Sequence, residues 1–157
     1  MSGTDITVQV RRAGLDDLAP LAKLFDAYRQ FYEQPADLPL AERYLHDRLA
    51  RDESLVWLAW QGAQAIGFCQ CYPTFCSVAA APIFVLYDLY VLPGARGLGA
   101  ARGLMQAAAV EARALSCVRI DLSTAKTNLP AQSLYESLGW RRDDAFFVYS
   151  STLAPPA

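Results

Sequence analysis

The segment Val91-Leu92-Pro93-Gly94-Ala95-Arg96-Gly97-Leu98-Gly99-Ala100-Ala101 carries the residues best suited to hold a ligand. It follows an apolar run, Ile83 to Leu92, and opens a stretch of helical periodicity. Glycines at Gly97 and Gly99 let backbone N–H groups approach an anion closely. A helix start adds unpaired N–H donors and a partial positive charge, and Arg96 sets a cation at the mouth. Together these are the parts of a pyrophosphate cradle. A nucleoside-triphosphate loop would end G-K-[ST], whereas Gly99 is followed by Ala100-Ala101. A dinucleotide fingerprint needs a third glycine, absent from Gly97-Leu98-Gly99-Ala100-Ala101-Arg102, and an early strand. A glycine turn without a ligand is the plainer alternative. Asp88 is the one acidic interruption of Ile83 to Leu92. A carboxylate in a buried strand is costly unless paired, so Asp88 is expected to line a polar cleft. There it can accept a proton, directly or through water, orient a cation, or bond neighbouring backbone.

The elements that must position these groups follow from periodicity. Ile6 to Arg11 alternates and predicts a first strand. A helix enters at Gly14 to Asp17 and carries Leu18, Leu21, Phe25, Tyr28 and Tyr32 as one stripe. Pro35 to Pro39 breaks it, and a second helix is expected over Leu40 to Ala50. Ser54 to Trp60 and Ala65 to Tyr72 predict paired strands about Gln61-Gly62, and Thr74 to Pro82 an unusually apolar loop. Ile83 to Leu92 predicts a central strand buried on both faces, Gly97 to Leu115 a helix, and Val118 to Leu122 a strand. Pro130 to Leu138 predicts a short helix stopped by Gly139, and Phe146 to Leu153 a closing strand, with a short extra one near Trp140. The order implies an α/β fold with one mixed sheet covered by helices.

A length of 157 residues suits a single domain over 1–157, with an ordered core of about 6–153. The net charge of -2 and pI near 5.3 argue against nucleic acid, which needs a basic face. No secretory signal is visible at Met1 to Asp5 and no apolar stretch is long enough for a membrane span. The cysteines are Cys69, Cys71, Cys76 and Cys117. Their C-x-C-x4-C spacing is no usual zinc pattern and His46 lies far upstream, so core cysteines, no metal and a reducing, cytoplasmic setting are expected.

Two motifs carry a family resemblance. Asp88-Leu89-Tyr90-Val91-Leu92-Pro93 followed by Arg96-Gly97-Leu98-Gly99-Ala100-Ala101 resembles the coenzyme A motif of the GNAT superfamily of N-acetyltransferases. Asn128, Ala131, Tyr135, Glu136, Gly139 and Trp140 match its second motif, N-x-x-A-x-x-x-Y-[ED]-x-x-G-[FW]. The resemblance runs from about Ile6 to Leu153. It implies a three-layer fold whose mixed central sheet splays at the coenzyme A cleft. It implies acetyl-CoA held by Arg96 to Ala101 and by the strand at Leu89, Tyr90 and Val91. Asn128 then caps its helix or bonds the cofactor arm, and Tyr135 serves as general acid. Asp88 becomes a candidate general base. No cysteine lies in a nucleophile motif, so direct attack in a ternary complex is expected. In the resembling family the first two helices wall the acceptor site. Here they bring Tyr28, Phe31 and Tyr32, and Phe75 and Tyr149 are expected to face the same cleft. Tyr28 and Tyr32 equally continue the core stripe. Rings and nearby acids favour a small primary amine as acceptor, and the resemblance implies a homodimer. The other class of function to weigh is an acyl-CoA-binding regulatory module without turnover.

Overall fold

In the computed structural model, which describes residues 7–155, the chain from Gln64 to Val91 forms one long antiparallel pair. Its strands, β3 (Gln64–Cys76) and β4 (Ala81–Val91), run on to Cys76↔Ala81 and turn over residues 77–80. The loop expected over Thr74 to Pro82 is therefore mostly strand. Its apolar residues continue both strands, and the turn closes with the Ala80 N–H donating to the Ser77 carbonyl at 3.1 Å. β2 (Leu55–Gln61) and β1 (Val8–Arg12) extend the antiparallel ladder on the far side of β3. Ile6, the first residue of the expected first strand, lies outside the described residues. β5 (Ile120–Asp121), shorter than the strand expected over Val118 to Leu122, pairs parallel to β4 at Phe84↔Ile120 and Val85↔Asp121 only. The result is an open mixed five-stranded sheet in the order β1-β2-β3-β4-β5.

The pleat sorts the two faces. Leu58↔Phe68 turn to one side, where α1 (Leu18–Phe31) and α2 (Leu38–Ala50) bury Leu21, Leu24, Phe25, Ala41 and Leu45. α2 starts earlier than expected because Asp37 caps it, accepting from the Leu40 N–H at 3.0 Å, and Pro39 fits the first turn. Val10↔Ala59 turn to the other side, against α3 (Ala100–Ala114), which buries Leu104, Met105, Ala108 and Ala112. Gly103 lets α3 sit close on β1: a Cβ there would meet Val10 Cγ2 at 3.1 Å. That contact explains a glycine inside a helix, where it otherwise costs about 1 kcal/mol. Cys69 and Cys71 are buried on the α3 side, as expected, and Cys76 and Cys117 are half-buried.

The described chain divides into two compact units between Ser123 and Thr124, and all the elements above belong to the first. The second holds α4 (Leu129–Ser137), which ends at Gly139 in the left-handed region (φ 87°). The strand expected over Phe146 to Leu153 is absent. The segment pairs with no strand among the described residues, and Phe146 to Tyr149 are 81–90 % exposed. Phe146-Phe147-Val148-Tyr149 is apolar in an unbroken run, with no alternation to fix a face or register. No strand forms near Trp140 either; its N–H donates to the Tyr135 carbonyl at 3.0 Å and closes α4. Among the described residues no helix is long and apolar enough to cross a membrane.

Gly67 marks the tightest approach in the sheet, since a Cβ there would lie 2.8 Å from the Tyr90 carbonyl oxygen. Gly67→Ala is expected to destabilise the fold by about 1–3 kcal/mol through overpacking. Gly14→Ala, where a Cβ meets nothing within 4 Å, should stay within about 0.5 kcal/mol of wild type. Urea unfolding of both variants checks this.

Candidate active site

β4 carries a bulge that decides where its side chains go. Cys71 pairs with Leu86 but Gln70 pairs with Asp88, so Tyr87 is the extra residue. Asp88 thereby comes into register with Gln70 on the α1 side of the sheet, and Tyr90 with Phe68. Asp88 is 5 % exposed and Gln70 fully buried. Gln70 Nε2 donates to Asp88 Oδ2 at 2.7 Å. Desolvation pushes the Asp88 carboxyl above the ordinary aspartate value, while the hydrogen bonds from Gln70 and Tyr28 partly offset this. Burial, and then the Asp88 charge, push the Tyr28 phenol well up, so it stays neutral. Its hydroxyl donates to the Tyr87 carbonyl at 3.4 Å.

Rings wall this carboxylate. Tyr28 lies edge-on to Phe68 at 5.7 Å and to Tyr32 at 5.1 Å between ring centroids. Phe31 meets Tyr32 at 5.2 Å and Tyr90 at 6.4 Å. Tyr28 packs at the edge of the core, whereas Phe31 and Tyr32 are more than half exposed. Phe75 is not part of this wall. It sits five residues beyond Gln70 along β3, about 16 Å away, at the 78 % exposed end of the hairpin. Gln70 was missed in the sequence. The signal was present: it is a polar interruption within Ala65 to Tyr72, the same kind of signal that singled out Asp88.

The glycine turn follows directly from β4. Arg96 Nε donates to the Val91 carbonyl at 3.1 Å and so braces the strand end, with its guanidinium 6.0 Å from the Tyr90 ring. Gly97 and Gly99 both have φ of 83°, a region disfavoured for side chains. Gly99 is the N-cap of α3, which therefore opens at Ala100 rather than Gly97. A Cβ at either glycine would meet nothing within 4 Å, so the turn borders open space. Leu98 is half exposed and Ala100 buried, with Ala101 next to it in the first turn of α3. Leu86–Val91 of β4 has no strand partner on the β5 side among the described residues. Leu89, Tyr90 and Val91 thus present an unpaired strand edge leading to an open helix N-terminus, a fit for an extended ligand with an anionic end.

In the second unit, Asn128 Oδ1 accepts from the Ala131 N–H at 3.3 Å and caps α4. Tyr135 lies on α4 with its ring 6.2 Å from Trp140. Tyr149 is in the strandless segment and 90 % exposed.

The profile of the Acetyltransferase (GNAT) family matches residues 21–140, and the chain belongs to that family. It is 41 % identical to the uncharacterised N-acetyltransferase YhfO of Bacillus subtilis (strain 168), over 90 % of this chain and 95 % of the relative. It is 29 % identical to the aminoglycoside N(6')-acetyltransferase type 1 of Acinetobacter haemolyticus, over 69 % of this chain and 77 % of that enzyme. A crystal structure of a probable acetyltransferase superposes with a TM-score of 0.88 at 36 % identity, covering 94 % of this chain and 99 % of that one. The chain is an N-acetyltransferase.

The raised carboxyl has a consequence for stability. The folded state holds the Asp88 proton more tightly than the unfolded chain, so stability falls as pH rises from the ordinary aspartate value through the raised one. Asp88→Asn, which keeps an acceptor for Gln70, removes that loss. It is expected to melt higher than wild type at pH 7, with the gap closing below the ordinary aspartate range. Thermal melts from pH 3 to 8 check both points.

Proposed function

We propose that this chain binds acetyl-CoA at Arg96–Ala101 and along β4 and transfers its acetyl group to a small primary amine by direct attack in a ternary complex. The observation that carries the reading is the succession along one strand of a buried carboxylate, an unpaired edge and an open glycine-lined helix entrance. Backbone N–H groups at Gly97 to Ala101 receive the pyrophosphate, and Arg96 adds its charge at the mouth. The Leu89–Val91 edge receives the pantetheine arm as a further strand would be received. When bound, acetyl-CoA supplies an acetyl group activated as a thioester. Asp88 takes a proton from the substrate ammonium, directly or through water, and frees the nitrogen lone pair. Its desolvated position suits that task, because a carboxyl with a raised proton affinity is a better base. Tyr135 holds on its hydroxyl the proton that the leaving sulfur needs, a role that rests on its motif position. Asn128 serves its helix as a cap.

The acceptor follows from the wall about Asp88. Rings of Tyr28, Phe31 and Tyr32 favour a cation through apolar and cation–π contact, and one carboxylate attracts it. The similarity to an aminoglycoside acetyltransferase supports a small-molecule amine over a protein surface. Phe75, at the exposed end of the hairpin, has no part in this wall.

Gly99→Val, filling the open turn, is expected to weaken acetyl-CoA binding at least about 100-fold, or about 2.7 kcal/mol. Gly99→Asn, which tolerates the left-handed backbone, should weaken it too and separates occupied space from strain. Arg96→Ala leaves the backbone donors in place and should cost about tenfold. Calorimetry on folded variants decides; undiminished affinity in Gly99→Asn and Gly99→Val would remove the cradle.

Thiol release from acetyl-CoA across amines, amino acids, aminoglycosides and peptides tests the transfer itself. Release is expected with small primary amines, and Tyr135→Phe should lower kcat by about 100-fold with cofactor affinity kept. Preferential modification of folded proteins would overturn the acceptor class.

A further inference from the structure

Gln70 is a fully buried amide in the middle of a strand, and only half of it is used. Its Nε2 makes a short bond to Asp88 Oδ2 at 2.7 Å, while its Oε1 has no hydrogen-bond partner among the described residues. The orientation is chemically determined. Turning the amide over would face Oε1 onto the ionised carboxylate, two acceptors in contact. A buried acceptor left alone is unfavourable, and the native fold has a reason to keep it.

The surroundings are short of hydrogen-bond donors. On the acceptor side stand Gln70 Oε1, the Asp88 carboxylate and the Tyr87 carbonyl. On the donor side, the Tyr28 hydroxyl has one proton to share between the Tyr87 carbonyl and Asp88, and the Tyr44 and Tyr72 hydroxyls spend one of their two protons on each other at 2.6 Å. A protonated primary amine matches this imbalance. It brings three N–H donors on one compact end and the charge that the carboxylate lacks. Water would satisfy Oε1 but leave the carboxylate uncompensated.

We infer that Gln70 determines specificity for the amine: its Nε2 holds Asp88 in place, and its unpaired Oε1 accepts an N–H of the incoming ammonium. This rests on the reading that Asp88 receives the amine. Asp88 keeps slight exposure while Gln70 has none, so the pair is approached from the Asp88 side. The acceptor must then carry at least two N–H bonds on its nitrogen, one for each partner, as a primary ammonium does.

The pair also sets the pH response. The Gln70 hydrogen bond holds the Asp88 carboxyl below where burial alone would put it. The other titratable groups about Asp88 are Tyr28 of α1, Cys69 and Tyr72 of β3 and Tyr87 of β4, with Tyr44 and Arg48 of α2 acting through Tyr72. Burial and the Asp88 charge push the Tyr28 and Tyr72 phenols up; the Cys69 thiol is raised by Cys71, by burial and by Asp88. These three stay neutral, and Arg48 stays charged, where Asp88 titrates. An acid limb in that range therefore belongs to Asp88.

The test uses the full chain and the amine that gives the fastest thiol release in the panel above. Gln70→Met is expected to raise the amine KM about tenfold, to leave acetyl-CoA affinity unchanged by calorimetry, and to move the acid limb of kcat/KM to higher pH. Gln70→Asn keeps an amide but shortens its reach, and should move the same readouts in the same direction if the Met variant fails to fold. Carbon-13 NMR of the Asp88 carboxyl, assigned by its loss in Asp88→Asn, should show the same upward movement without any substrate. If Asp88→Asn retains the acid limb, the reading of Asp88 as the base fails. If Asp88→Asn loses the limb but both Gln70 variants leave the limb and KM in place, the inference about Gln70 fails and the base stands.

Discussion

The hydrogen bond between Gln70 and Asp88 is the contact on which the arrangement of the first unit depends. A carboxylate in the middle of a sheet needs a partner, and the nature of the partner decides what the carboxylate can do. A lysine or arginine would neutralise it and hold its proton affinity down. The amide of Gln70 orients the carboxylate without supplying charge. Desolvation therefore still dominates, and the group remains a proton acceptor of raised affinity.

That contact exists only because of the bulge at Tyr87. Carrying the register of Cys71↔Leu86 forward without it would pair Gln70 with Tyr87 and Cys69 with Asp88. Asp88 would then point to the α3 side, away from Gln70 and Tyr28. One extra residue moves every later side chain of β4 to the opposite face. Asp88 and Tyr90 come to the α1 side, where Tyr28 and Phe31 meet them, and the strand still ends at Val91 in the brace of Arg96. Asp88 and the end of the strand are then about 10 Å apart along β4. In the proposed binding mode, a ligand with its anionic end in the glycine turn and its arm along the unpaired edge would span that distance to the carboxylate.

Much of this was legible in the sequence because it rests on local rules. Glycines before a helix, one acid in an apolar run, and a helical stripe from Leu18 to Tyr32 each carry their own signal, and the two motifs fix their order. What was not legible depends on pairing. Gln70 gains meaning only from the strand opposite it, and the bulge leaves no mark in the alternation of an apolar run such as Ile83 to Leu92. The hairpin end reads as a loop in the sequence because Thr74 to Pro82 follows Pro73 and ends in Pro82, although both prolines fit into the ladder. Phe75 is an aromatic ring in a neighbouring segment, and residue type says nothing of its distance along the strand. Phe146 to Leu153 has strand-forming residues but no periodicity to choose a face.

The costs to stability are concentrated at the same place. An unpaired buried acceptor costs about 1–3 kcal/mol, and the desolvated carboxylate adds to it. Such amounts are large against a typical stability of about 5–15 kcal/mol. Their setting makes them tolerable. Gln70 lies one residue from Cys69 and Cys71 and two from Phe68, all fully buried, in the strand that packs against helices on both faces. A surface strand could move to solvate its polar groups, but β3 is held by β2, β4, α1 and α3 and cannot. The rigidity that makes the orphaned oxygen expensive is also what keeps it and the carboxylate fixed, as the proposed recognition of an ammonium requires. A looser sheet would relieve the cost, and with it the preorganised acceptor pair.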